Sequence, residues 1–252
     1  MHFPFPCAIG FAAIYLPYTL ALLDPAEAGP VSAYWPFQSY QTATFNPPVL
    51  DITTSGAPLA PGYLFFGQGT SNGTALDHGG VRETAPLIMT DTGELVWSGP
   101  RGSFANNFKV NTLNGESVLT YWSGVELAGL NIGHYYGAIH ILDSSYQQID
   151  KICPKLDIVA PTSVTSNCLL DGHESYLTEN NTIIFTAYNI TFADLRPING
   201  SANATIWDGI FYEMDLKTRK IIFEWSARDH IPIAETRNPL GASGTFGSER
   251  GR

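Results

Sequence analysis

The chain has 252 residues, 44% of them hydrophobic and 12% aromatic, which is enough to fill the core of one large or two small domains and excludes disorder as the expected state. Only 14% of residues are charged, no stretch carries a run of one sign, and the formal net charge is -10. Such a surface repels phosphate backbones and anionic membranes, so no nucleic-acid partner is expected.

Residues 1–28 differ from the rest. An apolar run from Ala8 to Leu23 lacks Lys and Arg and is followed by Ala26-Glu27-Ala28, the small-x-small form of a signal-peptidase site. This predicts a signal peptide cleaved after Ala28, a secreted, extracellular product and no membrane association after cleavage. The competing reading, a membrane anchor, needs about 20 uninterrupted apolar residues. Asn-x-Ser/Thr sequons at Asn72, Asn180, Asn189, Asn199 and Asn203 point the same way, as candidate N-glycosylation sites. Without the leader, Cys153 and Cys168 are the remaining cysteines, and an even pair in a secreted chain predicts a disulfide, with two buried free thiols as the alternative.

Beyond the leader, Gly and Pro interrupt every window long enough for a substantial helix, and short runs of Val, Ile, Tyr, Phe and Thr recur. A pattern of one apolar strand, then a later strand ending in Asp, a tight turn and another apolar strand is expected three times. The first copy runs through Gly62–Phe66, Pro86–Asp91 and Glu94–Trp97. The second uses Ser117–Trp122, Ala138–Asp143 and Tyr146–Ile149, and the third Thr182–Tyr188, Ile210–Asp215 and Lys220–Trp225. Asp91, Asp143 and Asp215 are read as equivalent, because an aspartate before a turn accepts from backbone N–H groups two residues on. Copies two and three also have a leading strand, Phe108–Thr112 and Glu174–Thr178. Trp97 and Trp225, near the ends of last strands, are expected to pack between units, and Gly124–Gly137 is read as a loop connecting them. A four-stranded antiparallel unit repeated in this way is expected of β-propeller blades, with a β-sandwich as the competing architecture. The fold class is therefore all-β: a partial β-propeller over 29–240 with about three four-stranded blades, and a flexible tail over 241–252.

The segment Asp171-Gly-His-Glu-Ser-Tyr-Leu-Thr178 resembles the Asp-x-His-Glu-Phe-x-Leu-Thr motif of the secreted fungal arylsulfotransferase family. Glu213–Thr218, Ile222–Ser226 with Asp229-His230-Ile231, Val118–Gly124 and Ile141–Tyr146 resemble further elements of that family in the same order. The resemblance implies a six-bladed propeller that moves a sulfuryl group between phenolic compounds, with aryl sulfates and phenols as small-molecule partners. It makes His173 the candidate catalytic histidine, with Glu174 or Asp171 fixing its tautomer. An imidazole suits this chemistry because it can act as nucleophile or as donor and changes role at mild pH. The plain alternative for His173 is a structural hydrogen-bonded pair.

Trp122, Tyr121 and His230 are the candidate binding residues, although His230 also reads as a turn residue bonded to backbone. The family's later His-x-Asn and Ser-Arg elements do not follow His230, so the residues that the resemblance implies complete the sulfuryl site, the nucleophile among them, are expected to be absent, and the chain to be incomplete relative to the six-bladed fold and inactive alone. A second expectation is a non-catalytic secreted propeller that binds carbohydrate or protein through top-loop aromatics, including Tyr135 and Tyr136. His78, His134 and His140 have no motif support. No metal-ligand spacing, Walker loop or nucleophile elbow occurs, so no metal or cofactor is expected.

Overall fold

The computed structural model describes residues 46–67, 84–127, 134–237 and 240. The expected leader over 1–28, the Asn72 sequon, His78 and the tail over 241–252 lie outside the described residues.

The described chain is mostly β, arranged as three antiparallel sheets, none closed on itself. The first holds β1 (Leu64–Gly67), β2 (Pro86–Met89) and β3 (Leu95–Ser98) in that order. The second holds β4 (Ala105–Leu113), β5 (Glu116–Glu126), β6 (Tyr135–Leu142) and β7 (Gln148–Ile152), and the third β8 (Ser175–Leu177), β9 (Thr182–Ala193), β10 (Ala204–Asp215) and β11 (Ile221–Ser226). Every strand expected from the apolar runs is present, several of them longer than expected. The leading strand absent from the first copy's sequence pattern is absent from its sheet as well, among the described residues. The expectation of no substantial helix is met by short segments only: two 3-10 turns and one turn of α-helix, α1 (Ala227–His230).

The sheets stack face on face. Phe65, Ile88 and Trp97 of the first meet Phe108, Leu119, Tyr121 and Leu142 of the second. From the opposite face of the second sheet, Val118, Trp122, Ile139 and Ile141 meet Ile183, Phe185, Tyr212 and Met214 of the third. A sheet covered on both sides needs apolar residues without alternation, and the middle of β5, Val118–Trp122, is buried at five consecutive positions. Strand β10 instead alternates, because one face of the third sheet lies open: Phe211 and Phe223 there are 48% and 52% exposed. Trp97 reaches the next sheet as expected, stacking on Tyr146 with ring centroids 5.1 Å apart. Trp225 packs within its own unit, against Phe211 and His230.

That placement of Trp225 corrects one expectation, and two more are corrected. A register shift recurs at one place in all three sheets, between Ile88 and Met89, Ile141 and Leu142, and Glu213 and Met214. The next residues, Thr90, Asp143 and Asp215, each donate a backbone N–H across the turn, to Glu94, Gln147 and Lys220. Asp143 Oδ1 accepts from the N–H groups of Ser145 and Gln147, and Asp215 Oδ1 from that of Thr218. In the first sheet Thr90 Oγ1 takes this part, accepting from Glu94 N–H at 2.9 Å. The counterpart of Asp143 and Asp215 is therefore Thr90, not Asp91, since a threonine hydroxyl satisfies the same turn. Gly124 and Gly137 are direct partners in the β5–β6 ladder, so the loop between them joins two strands of one sheet rather than two units.

The Cys153–Cys168 disulfide is formed. Its loop covers the edge that β9 leaves beyond β8: Val159 N–H donates to Asn189 Oδ1 and Ile190 N–H to the Val159 carbonyl, both at 2.9 Å. Replacing both cysteines by serine should lower the unfolding free energy by about 3 kcal/mol, mainly by freeing the unfolded chain. Urea denaturation of the two forms reads this directly. An unchanged midpoint would mean that the edge hydrogen bonds alone hold the loop.

Candidate functional site

Directly after the disulfide, residues 170–174 form a loop tied down from three sides. Leu170 exchanges backbone hydrogen bonds with Gly137 in both directions, at 3.0 and 3.1 Å. The Trp122 indole N–H donates to the Leu170 carbonyl at 2.9 Å, and Asp171 N–H donates to the Thr186 carbonyl at 2.8 Å. Gly172 lies on the Trp122 ring so closely that a Cβ there would stand 2.9 Å from the indole, and one on Gly137 would stand 2.6 Å from it. The glycines let the loop and the β5–β6 ladder close around one aromatic plate.

On this base Asp171 is buried, 2% exposed, and its carboxylate collects donors. Oδ2 accepts from the His173 backbone N–H and from Thr186 Oγ1, each at 3.1 Å. His173 Nδ1 stands 2.8 Å from Oδ2 and 2.9 Å from Oδ1. A carboxylate only accepts, so Nδ1 carries a proton, and in the neutral ring Nε2 holds the lone pair. The His173 side chain is 52% exposed, which leaves that nitrogen open to an incoming group. Of the two carboxylates expected to orient His173, Asp171 does so. Glu174 turns away to Lys109 on β4, with Nζ to Oε1 at 2.7 Å, and that bond to Lys109 holds the Glu174 carboxyl below its usual range. Asn107 Nδ2 adds a second tie between β4 and β8, donating to Ser175 Oγ at 2.9 Å.

Aromatic side chains surround the dyad. Tyr135 meets His173 edge to face at 5.1 Å, and Phe104 stacks on Tyr135 at 5.5 Å. Burial, with the Asp171 charge nearby, raises the hydroxyls of Tyr136 and Tyr188 above their usual range. His134 packs between the rings of Tyr188 and Trp207.

The other expected binding residues lie apart. Tyr121 and Trp122 are 2% and 1% exposed. Tyr121 stacks on His140 toward the first sheet, and Trp122 supports the 170–174 loop from beneath. His230 ends α1, where Nδ1 bonds to the Ser226 carbonyl at 2.8 Å and the ring stacks on Trp225 at 5.0 Å. Asp208, 4% exposed, accepts from Ser226 Oγ and Arg228 N–H and so fixes the start of that turn. Among the described residues no group of His, Cys, Asp and Glu is arranged to hold a metal ion, and no helix is long and apolar enough to cross a membrane.

Lys109, Asn107 and Thr186 were not among the expected site residues. Their parts depend on strands distant in the chain, and no local motif marks them.

The model of the family described as Arylsulfotransferase (ASST) matches residues 109–249, more than half of the chain. The chain belongs to the arylsulfotransferase (ASST) family. The matched span opens inside β4 at Lys109 and includes the Asp171–His173 dyad, and the first sheet precedes it. No curated protein and no solved structure gave a match.

Proposed function

We propose that, against the expectation that it is inactive alone, this arylsulfotransferase-family chain transfers sulfuryl groups between phenolic compounds, with His173 Nε2 as the nitrogen that attacks sulfur. The observation that carries the reading is the Asp171–His173 geometry inside the family-matched span: a buried carboxylate 2.8 Å from Nδ1, and an exposed ring offering Nε2. This is the arrangement in which an imidazole is held in one tautomer and steadied as positive charge develops. The Nε2 lone pair forms an N–S bond as the bond from sulfur to the aryl oxygen breaks. The oxygen of an accepting phenol then displaces the histidine from sulfur. The sulfuryl oxygens stay negative throughout and call for positioned donors and cations. Lys109, ion-paired with Glu174, the residue that follows His173 in the chain, is a candidate cation.

The secreted, glycosylated character belongs to the same proposal, supported by the disulfide and by the exposed sequon residues Asn180, Asn199 and Asn203. Asn189 is the weakest of the sequons, since its Oδ1 accepts from Val159 and Thr191 Oγ1 from Arg228. The propeller is proposed as the architecture, supported by the three stacked sheets and the recurring register shift.

The test is sulfuryl transfer from nitrophenyl sulfate to phenol by the purified chain and its His173→Ala variant, with rapid quenching and mass analysis for a sulfuryl group on His173. We expect transfer to be lost in the variant and the adduct to appear only in the wild type. A variant that transfers as fast as the wild type would sink the reading.

A further inference from the structure

We propose that the Tyr135 hydroxyl is the proton donor and acceptor for the phenolic oxygens at the His173 site. The inference rests on the sulfuryl-transfer reading above. Displacing a phenolate from sulfur is hardest when its oxygen must leave unprotonated, and a positioned side chain that gives it a proton, tyrosine among those able to, speeds the step. A tyrosine is itself a phenol, with an ordinary pKa of about 10, so it matches an unsubstituted phenol closely.

Tyr135 is placed for this. It opens β6, half-buried, edge to face with His173 at a ring separation of 5.1 Å. Phe104 stacks on it and Trp122 meets it edge to face at 5.6 Å, which fixes the ring from two sides. Burial first, then the charges of Glu126 and Asp171, raise its hydroxyl above its usual range, so it rests protonated and, once it has given its proton, readily takes one back from the accepting phenol. The Asn106 side chain acts in the opposite sense, toward the phenolate, and is the smallest of these influences.

The steps balance. As Nε2 bonds to sulfur, the electron pair of the breaking S–O bond goes to the aryl oxygen, and the Tyr135 O–H proton follows it, releasing a neutral phenol. In the second half the Tyr135 oxygen takes the proton of the accepting phenol, whose oxygen bonds to sulfur as the N–S electrons return to Nε2. Tyrosine and histidine both end as they began.

Tyr135→Phe removes the proton while keeping the ring that touches His173, Phe104 and Trp122. The experiment measures transfer by wild type and Y135F from phenyl sulfate and from nitrophenyl sulfate, whose phenol is far more acidic. Y135F should lose roughly 10²-fold with phenyl sulfate, the scale of general-acid assistance, and only a few-fold with nitrophenyl sulfate. Thermal unfolding of both proteins checks that the fold is kept. Equal losses with the two donors, or no loss with either, overturn the role of Tyr135 while leaving the His173 reading intact. A wild type that transfers from neither donor overturns the site reading itself, and this inference with it.

Discussion

Asp171→Asn lowers sulfuryl transfer by about 10³–10⁴-fold with little change in thermal stability. The scale follows from serine-protease triads, where the same exchange costs about 10⁴ because the histidine is left in the wrong tautomer. An asparagine at 171 can still accept through its oxygen from the His173 backbone N–H and from Thr186 Oγ1, so the loop keeps its shape. Its amide nitrogen donates, however, and in the place of Oδ1, 2.9 Å from Nδ1, it favours the tautomer with the proton on Nε2, which removes the lone pair from the side of the ring that is open. Nitrogen NMR of the His173 ring reads that exchange separately from activity. A variant with the Nδ1–H form preserved and transfer undiminished would show that Asp171 serves the loop and not the histidine.

Trp122→Ala, which removes the largest fully buried side chain among the described residues, is expected to cost about 3–5 kcal/mol. The indole is 1% exposed, sits between the second and third sheets and carries Gly137 and Gly172 against its faces and edges. Alanine leaves a cavity that those glycines have no side chains to fill. Trp122→Phe keeps much of the packing and loses the hydrogen bond to Leu170, whose carbonyl still accepts from Gly137, so about 1 kcal/mol is expected. Because the same indole supports the loop that carries Asp171 and His173, both variants should also transfer more slowly. Denaturant unfolding separates the two effects, and a Trp122→Ala midpoint close to wild type would contradict the packing account.

The sequence by itself determined the local features. Short runs of β-branched and aromatic residues set the strands, short polar turns set the hairpins, the even cysteine pair set the disulfide, and Asp171–Thr178 marked the family resemblance. These depend on neighbours within a few residues, where backbone sterics and turn chemistry act. The tertiary structure alone decided which face of each strand is covered and which distant groups meet. Tyr121 and Trp122 look like ligand-facing aromatics in sequence but lie inside, because a sheet enclosed by two others has no free face. The turn residue of the first sheet proved to be Thr90 because the recurring register shift moves the count by one, and a shift in pairing leaves no mark on a single strand. Glu174 and Asp171 flank His173 with equal claim in sequence. Lys109, 65 positions earlier on a different sheet, draws Glu174 away, while Thr186 and the buried loop hold Asp171 on the histidine.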